Sequence, residues 1–339
     1  DIVIGPQSFQ NLPELIAKVD PIKKNKHVDI NFPVIPKFDQ LNHEVHDRGP
    51  SAFLTIQEGC DKFCTFCVVP YTRGAEYSRP VKSIIDEAKK LIDAGVKEIT
   101  LLGQNVNAWN ANGPNKKKWG LGRLIAELAK IKDLEFIRYT TSHPLDMDLD
   151  LIEAHRDIEK LMPYLHLPLQ SGSDNILKLM NRKHTTKQYL KVIEKVRHYK
   201  PDIAISGDFI IGFPGESSRD HESTINVINE VQYSQAYSFK YSIRPGTPAG
   251  IYYNHVDEKV KSSRLQEVQE ILREQQMRFN KNSIGSTLKV LVLKHGKKNG
   301  QYLGRSPFNQ SIYFNSEELN LIGSTVDIDV TEAFQNSLT

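Results

Sequence analysis

The three cysteines of this 339-residue chain constrain it more than any other feature, because all of them fall between positions 60 and 67. Cys60, Cys64 and Cys67 have the spacing C-x3-C-x2-C. An odd number of cysteines in one short segment is not a disulfide framework. A closed structural zinc site needs four ligands, and no histidine lies near enough in sequence to supply the fourth. Three thiolates suit a [4Fe-4S] cluster that keeps one iron open.

An open iron gives such a cluster a chemical use. It can bind the amino and carboxylate groups of S-adenosylmethionine (SAM), so that an electron passes into the adjacent sulfonium bond. The cysteine spacing, with the aromatic Phe66 just before the third cysteine, resembles the radical SAM superfamily, in which that aromatic lies beside the adenine. The other interpretation is a redox or metal-binding loop of another kind.

The segment after the third cysteine narrows this resemblance. Residues 68–80 read VVPYTRGAEYSRP and resemble the corresponding segment of methylthiotransferases, most closely the MiaB type that modifies tRNA. Methylthiotransferases that act on ribosomal protein S12 usually differ here. The resemblance therefore implies a radical SAM methylthiotransferase that adds a methylthio group to C2 of N6-prenylated adenosine next to the tRNA anticodon.

The resemblance also implies a course for the reaction. One SAM would supply a methyl group to sulfur, and a second would be cleaved at the cluster of Cys60, Cys64 and Cys67 to give a 5′-deoxyadenosyl radical that attacks C2. A radical is needed because an unactivated aromatic carbon is beyond ordinary acid–base groups. The target base must leave its loop stack to be reached. An electron donor such as flavodoxin or ferredoxin is implied as a further partner.

Two kinds of alternative remain open. Within the same class, the substrate is threonylcarbamoyl-adenosine in tRNA or an aspartate of ribosomal protein S12, and the motifs at 68–71 and 171–174 speak against the protein substrate. From a different class, the chain is an RNA-binding protein whose iron–sulfur cluster is structural or carries electrons only. A test for SAM cleavage distinguishes a catalytic chain from this RNA-binding protein.

The chain begins inside what reads as a folded segment, with a strand near 1–7 and a helix from Leu12. In methylthiotransferases the N-terminal domain ends this way, and its body carries three further cysteines for a second [4Fe-4S] cluster. Those cysteines are absent here, so we expect this chain alone to cleave SAM but to transfer little or no sulfur. A naturally short N terminus is the alternative. The expected domains are a remnant and linker at 1–50, a radical SAM catalytic domain at 51–282 and a TRAM RNA-binding domain at 283–339.

From Ser51 onward strand and helix patterns alternate. Strands are predicted at 52–57, 96–102, 135–140, 163–168, 203–211 and 236–242. Helices are predicted at 84–92, 121–131, 148–157, across 174–199, at 219–231 and at 257–281, the last with an apolar stripe for packing. Six strands interleaved with helices predict an α/β fold with a parallel sheet and right-handed crossovers. The resemblance implies that this sheet curls into a partial (β/α)6 barrel.

Polar residues at the ends of the predicted strands are candidates for cofactor contact, because working loops lie there in such sheets. The resemblance assigns the methionine end of SAM to Gly103 and Gln104, its ribose and carboxylate to Ser171 and Ser173, and its adenine side to the segment around Asp208. Arg244 is a further candidate for a carboxylate or phosphate. Each group also has a purely structural interpretation. It is a polar turn for the first pair, a helix cap for the two serines, a tight Gly-Pro turn for the segment around Asp208 and a surface arginine for Arg244.

Beyond Ile284 about five short strands are predicted, which indicates a small barrel of oligonucleotide-binding character. Its position and pattern resemble the TRAM module of tRNA methylthiotransferases. The residues implied to contact phosphates or bases are Lys289, Lys294, Lys297, Lys298, Arg305 and Phe308. Five Lys and Arg balance five Asp and Glu from 283 to 339, so a basic surface must come from clustering.

Composition adds few constraints. A net charge of +3 is compatible with nucleic acid but does not require it. No apolar run reaches membrane-spanning length, and no secretory signal is visible, so no membrane association is expected. Cysteines kept as thiolates predict a reducing cytoplasm, and we expect a monomer.

Overall fold

The computed structural model describes residues 2–19, 25–31, 49–114 and 116–339. Its strands, in chain order, are β1 (Ile2–Ile4), β2 (His27–Asp29), β3 (Ser51–Thr55), β4 (Gln57–Glu58), β5 (Tyr77–Ser78), β6 (Glu98–Leu102), β7 (Ala111–Asn112), β8 (Lys118–Trp119), β9 (Phe136–Tyr139), β10 (Tyr164–His166), β11 (Ala204–Ile211), β12 (Gln235–Lys240), β13 (Thr287–His295), β14 (Gln301–Arg305), β15 (Ser311–Asn315) and β16 (Thr325–Asp329). Its α-helices are α1 (Leu12–Ala17), α2 (Val69–Arg73), α3 (Val81–Asp93), α4 (Leu121–Leu128), α5 (Leu149–Asp157), α6 (Asp174–Leu179), α7 (Thr186–Tyr199), α8 (Ser218–Val231) and α9 (Glu258–Lys281).

Six parallel strands form the main body of the fold. β3, β6 and β9 pair side by side, as do β10, β11 and β12, and a parallel bridge between Ile137 and Leu161 connects the two groups. The strands therefore neighbour one another in chain order, with at least one helix in each connection. A doubly wound sheet would reverse its strand order part-way. The predicted partial (β/α)6 barrel is confirmed.

The helices cover the outside of the barrel because their apolar residues recur at helical spacing. The buried side chains of α3 are Val81, Ile84, Ala88, Leu91 and Ile92. They belong to one continuous core cluster with strand residues such as Leu54, Ile99 and Leu101. Burying each of these aliphatic side chains contributes about 1.5–3 kcal/mol, so the barrel is held mainly by this layer between strands and helices.

The long helix α9 packs across β12, as the sequence predicts. Val268 and Leu272 of its apolar stripe are buried, and Leu265 lies against the same core. Phe279 contacts Phe308 of the C-terminal domain, with ring centroids 6.0 Å apart. None of the described helices combines the length and the apolar character needed to cross a membrane.

The C-terminal domain is a four-stranded antiparallel sheet in the order β15-β14-β13-β16. The expectation of about five strands is too high for the described residues. The last residues contribute isolated bridges instead, between Leu338 and both Ile312 and Ala333, which cover one end of the sheet. The small all-β module at this position is confirmed, and the predicted boundary at 282/283 falls between α9 and β13.

The N-terminal residues contain more structure than the predicted linker allows. β1 pairs in parallel with β2, which lies inside residues 20–50, the linker part of the segment 1–50 that we interpreted as a remnant and linker. A strand of three residues gives no periodic signal, so it was missed. The rest of that prediction concerns 20–24 and 32–48, which lie outside the described residues. The short antiparallel pairs β4–β5 and β7–β8, and helix α2, were missed for the same reason.

A buried group of charges joins the C-terminal domain to the end of the barrel where the strands begin. Glu98 accepts a hydrogen bond from Arg138 Nε at 2.6 Å, and its other carboxylate oxygen pairs with Arg305. Arg138 also donates to the carbonyl oxygens of Ser306 and Pro307, at 2.7 and 2.9 Å. Burial would raise the pKa of Glu98, but the two guanidinium groups outweigh it and hold that pKa below its ordinary value.

Candidate active site

The three cysteines lie on a tightly curled loop that follows β4 at the carboxyl end of the barrel strands. Gly59 opens the loop with a φ of +74°, and a Cβ there would lie 2.1 Å from the carbonyl oxygen of Ala75, so only glycine fits. Phe63 also has a positive φ, of +48°. The N–H of Cys67 donates to the carbonyl oxygen of Cys64 at 3.0 Å, which folds the last two cysteines into a turn.

Polar side chains from the neighbouring strand end hold this loop in shape. The buried Gln57 donates to the carbonyl oxygen of Gly59 at 2.7 Å and accepts from the N–H of Asn105 at 3.1 Å. Gln104 Oε1 accepts from the N–H of Gly59 at 2.8 Å. Gly103 packs against Gln57, whose Oε1 would lie 2.5 Å from an added Cβ. Gly103 and Gln104 thus support the cysteine loop, and their contact with a cofactor stays a prediction.

The cysteines are close enough to influence one another electrostatically. Burial raises the pKa of Cys60 to about 11, and the nearby Cys64 and Cys67 add to this shift. Burial also raises the pKa of Cys67. Cys64 is the most enclosed of the three, with 9% of its surface exposed. Metal binding must therefore displace protons from the thiols of Cys60 and Cys67.

The donor set fits a [4Fe-4S] cluster better than a single metal ion. Among the described residues, no three Cys, His, Asp or Glu side chains converge closely enough to hold one ion. In a cubane cluster each thiolate binds a different iron, so the sulfur atoms need not meet at a point. Three thiols on one loop, in a chain that has no fourth cysteine, suit a cluster with one open corner. Cys60, Cys64 and Cys67 would hold it.

Phe66 lies beside the cysteines on an apolar surface of the barrel. It is half-buried and packs against a cluster formed by Ile176, Met180, Phe213, Tyr241 and Ala249. The segment from strand β12 reaches the same place, because the N–H of Ala249 donates to the carbonyl oxygen of Thr65 at 2.9 Å. An aromatic ring held in this way offers an apolar face, and its contact with adenine stays a prediction.

The two serines after β10 make hydrogen bonds within the protein. Ser171 is 1% exposed, and its hydroxyl lies 3.4 Å from Thr224 Oγ1 and accepts from the N–H of Ser173. Ser173 is the N-cap of α6, accepting from the N–H of Ile176 and donating to Asp220 at 2.5 Å. Both hydroxyls are used inside the protein. Ser173 is therefore a helix cap, and the contact of either serine with ribose or carboxylate stays a prediction.

Asp208 lies in a cavity of about 440 Å³ inside the barrel. Its carboxylate is 3.4 Å from His166 Nε2, and His166 Nδ1 is 3.0 Å from the hydroxyl of Ser206. Two polar groups therefore face the cavity as a linked pair. The specific assignment of Asp208 to SAM stays a prediction.

Aromatic side chains line much of the rest of this cavity. Phe53 on the first barrel strand and Phe239 on the last are 66% and 57% exposed, and Tyr237 lies beside Phe239 on β12. Arg305 and Asn309 also line it, although both belong to the C-terminal domain. The cavity thus has an aromatic side, a polar side and a wall from another domain.

Arg244 lies on the turn that follows β12. Its side chain is exposed and donates to Ser242 Oγ at 3.1 Å, while its carbonyl oxygen accepts from the N–H and hydroxyl of Thr247. The structure gives the guanidinium no contact with the cysteine loop. Its predicted contact with a carboxylate or phosphate stays a prediction.

The six residues predicted to bind RNA divide into two groups. Lys289, Lys294, Lys297 and Lys298 are exposed on the C-terminal domain, as phosphate contacts require. The other two residues make contacts within the protein. Arg305 pairs with Glu98 and also lines the barrel cavity, and Phe308 packs against Phe279 and the domain core, so the contact of these two residues with RNA stays a prediction.

Several polar residues around the loop were not predicted. Lys62, within the loop, pairs with Asp146 at 2.7 Å, and Asp146 also accepts from Asn105 at 2.8 Å. Burial, reinforced by the carboxylates of Asp61 and Asp146, raises the pKa of Glu76 to about 7. The charged residues in the segment after the third cysteine could have indicated Glu76 as a residue near the site. Asp146 lies in a turn with no pattern that points to the loop.

Arg182 is the other unpredicted residue at the loop. Its Nη1 lies 3.7 Å from the sulfur of Cys64, and it is 5% exposed. The separation of 118 positions between these residues explains why no sequence pattern pointed to the contact.

Comparison with known proteins gives strong sequence similarity along the whole chain. The radical SAM superfamily model matches residues 54–228, and the TRAM domain model matches residues 281–339. The tRNA-2-methylthio-N(6)-dimethylallyladenosine synthase of Agrobacterium fabrum is 53% identical, over 100% of this chain and 74% of that protein. The protein of the same name from Ehrlichia chaffeensis is 54% identical, over 100% of this chain and 77% of that protein. Among solved structures, the radical SAM methyltransferase TsrM from Kitasatospora setae has a TM-score of 0.49 and 16% identity, over 60% of this chain and 39% of that chain.

Proposed function

The chain belongs to the tRNA methylthiotransferases of the radical SAM superfamily, and from this membership we propose that it acts as a tRNA-2-methylthio-N(6)-dimethylallyladenosine synthase. The reaction adds a methylthio group to C2 of N6-prenylated adenosine beside the anticodon. The observation that carries the proposal is the curled three-cysteine loop at the carboxyl end of a barrel whose interior contains a cavity with aromatic and polar sides.

The chain's own residues have distinct tasks in this proposal. When bound at Cys60, Cys64 and Cys67, the [4Fe-4S] cluster and SAM supply a carbon-centred radical by one-electron cleavage. Gln57 and Gln104 keep the loop in the shape that presents the three thiols. Phe66 supplies an apolar face beside the loop, where it excludes water.

We assign the barrel cavity to the target base. Its volume of about 440 Å³ lies in the range of small-molecule sites, about 300–1,000 Å³. The rings of Tyr237 and Phe239 suit stacking on adenine and contact with the prenyl chain, whereas Asp208 and His166 offer hydrogen bonds to the base edge. A base enters such a cavity only after it has left its stack. The exposed lysines of the C-terminal domain would bind the phosphates of the same RNA.

The finer parts of the proposal concern what this chain needs from elsewhere. Its three cysteines fill one cluster, so a second, sulfur-handling cluster needs ligands from outside these 339 residues. This chain alone therefore cleaves SAM but transfers little or no sulfur. A flavodoxin or ferredoxin donates the electron, and the chain works as a monomer in the reducing cytoplasm.

The first test measures 5′-deoxyadenosine after anaerobic loading with iron and sulfide, addition of SAM and reduction. We expect release by the wild-type chain and none by Cys64→Ala. A wild-type chain that holds about four irons but releases no 5′-deoxyadenosine would overturn the catalytic proposal and favour a structural or electron-carrying cluster.

The second test addresses the base. We expect Phe239→Ala to weaken binding of an anticodon stem-loop that carries prenylated adenosine about tenfold, because base–aromatic stacking contributes about 1–3 kcal/mol. Tyr253→Ala is the matched control, since Tyr253 is 98% exposed and lies outside the cavity. Equal effects of the two substitutions, or equal affinity for a threonylcarbamoyl-adenosine stem-loop, would contradict the assignment of the cavity to prenylated adenosine.

A further inference from the structure

The segment from Leu179 to Arg182, at the end of α6 and before α7, is hydrogen-bonded to the cysteine loop. The carbonyl oxygens of Leu179 and Met180 accept from the hydroxyl and the N–H of Thr65, at 2.9 and 3.1 Å. Asn181 Nδ2 donates to the carbonyl oxygen of Phe63 at 2.9 Å. Three consecutive residues of this segment are therefore attached to the backbone or side chain of the loop, and the fourth is Arg182.

The backbone on both sides of Arg182 adopts an uncommon conformation. Asn181 and Lys183 both have a φ of +61° although neither is glycine. Left-handed conformations cost L-residues about 1–2 kcal/mol each. Such strain persists where the surrounding structure requires it, and it clusters at functional sites. Here the two left-handed residues turn Arg182 inward, where it is 5% exposed.

The guanidinium of Arg182 has an incomplete set of partners. Its Nη2 donates to the carbonyl oxygen of Pro168 at 2.6 Å, and its Nη1 lies 3.7 Å from Cys64 Sγ. Its Nε is buried without a hydrogen-bond partner. None of the ion pairs formed by the described residues includes Arg182, whereas the nearby Lys62 is paired with Asp146. A buried guanidinium without a carboxylate is costly unless another negative group compensates it.

Two histidines beside Arg182 do not change this charge. His143 and His184 pack edge-to-face with ring centroids 5.6 Å apart. Burial, helped by the charge of Arg182, lowers the pKa of His143 to about 2 and that of His184 to about 4. Both rings are therefore neutral at pH 7, and Arg182 is the uncompensated cation beside Cys64.

We propose that Arg182 is a positioning residue for the cluster: it donates a hydrogen bond to the thiolate of Cys64 and raises the reduction potential of the iron–sulfur group held there. This inference rests on the proposed function, because it requires the cluster. Hydrogen bonds to cluster sulfurs and nearby positive charge favour the reduced, more negative form. The step concerned is the gain of one electron from a low-potential donor, in which no bond forms or breaks. The thiolate in turn compensates the buried guanidinium.

The test compares the reduction of anaerobically loaded variants by EPR-monitored potentiometric titration, with iron content measured for each. At the potential where the wild-type cluster is half reduced, we expect the ratio of reduced to oxidised cluster in Arg182→Met to be at least tenfold lower. For a one-electron couple this corresponds to about 59 mV. Arg182→Lys keeps the charge, and we expect its ratio to stay within about threefold of wild type.

Arg197→Met is the matched control. Arg197 is less enclosed than Arg182, and it also donates to a backbone carbonyl oxygen, that of Val231 at 2.5 Å, but it does not contact the cysteine loop. We expect its titration to match the wild type. A ratio within threefold of wild type for Arg182→Met would overturn the inference.

The design separates failure of the inference from failure of the proposed function. If the wild-type chain takes up no cluster, the proposed function fails. If Arg182→Met takes up no iron, the Arg182→Lys variant provides the test instead. A ratio of reduced to oxidised cluster within threefold of wild type supports the role of the charge, and a tenfold or larger change in that ratio overturns it.

Discussion

Two buried arginines lie at the two ends of the barrel, and they have different partners. Arg138, at the end that carries the C-terminal domain, pairs with the fully buried carboxylate of Glu98. Arg182, at the end that carries the cysteine loop, has a backbone carbonyl and the sulfur of Cys64 as its partners. Both side chains are 5% exposed, so burial does not distinguish them.

The difference indicates which end is complete by itself. The pair of Arg138 and Glu98 closes a domain junction that also contains the apolar contact of Leu291 with Phe136 and Met162. A junction of this kind has its charges balanced when the chain folds. At the cysteine end, the positive charge of Arg182 is neutralised only when a cysteine is a thiolate. A site that binds an anionic cluster requires such a charge.

Removal of the carboxylate at the junction tests the first half of this comparison and has the largest expected effect. We expect Glu98→Ala to lower the free energy of unfolding by about 3–5 kcal/mol, because it leaves a buried guanidinium unpaired. Denaturant unfolding followed by circular dichroism measures it. Glu135→Ala is the matched control, since Glu135 also bonds across the junction, to Thr325 at 2.6 Å, but is partly exposed. Similar losses in the two variants would show that Arg138 does not depend on Glu98.

Changing one glycine of the cysteine loop tests the other end. The matched control is Gly95→Ala, which lies outside the loop. Gly95 has a positive φ, and an added Cβ there would meet nothing within 4 Å. We therefore expect this control to lower the free energy of unfolding by only about 1–2 kcal/mol, for the positive φ alone. Gly59→Ala adds a clash with the carbonyl oxygen of Ala75 at 2.1 Å. We therefore expect a larger loss of stability and, in addition, loss of iron uptake. Normal iron content in Gly59→Ala would show that the loop does not need its present curl.

The smallest effect is a pH dependence at the junction. The pKa of Glu98 is lower in the folded chain than its ordinary value, so its contribution to stability is complete above the unfolded-state pKa of about 4.3. The contribution is lost as the pH falls through the lower folded value. We expect the Glu98→Gln variant to lose less stability than wild type in this acidic range, measured by denaturant unfolding at several pH values. Parallel pH profiles would mean that Glu98 has an ordinary pKa.

The barrel could be predicted from sequence because its strands and helices carry strong local patterns. Helix α3 repeats its apolar residues at helical spacing, and β6 is rich in apolar residues, namely Ile99, Leu101 and Leu102, and ends in a polar turn. The three-residue strand β2 has no such pattern and was read as linker. Local periodicity predicts elements of sufficient length and is silent on short ones.

The candidate site was predicted less completely, for two physical reasons. Ser173 is the kind of residue that caps helices and also the kind that binds ligands, so residue type alone could not decide its role. Arg305 and Phe308 look like RNA contacts by type, and residue type does not show that folding also gives both of them partners at the domain junction. Arg182 reaches Cys64 only in three dimensions, through a turn that no motif predicts.

Residues of both domains form the wall of the barrel cavity, and this limits how one domain can be replaced without the other. Asn309 and Arg305 give it part of its wall, yet both belong to the domain expected to hold the RNA backbone. The two domains are therefore not interchangeable modules. A chimera that takes its last sixty or so residues from a relative would import part of the base pocket along with a new RNA surface, and its choice of nucleotide would change together with its choice of tRNA.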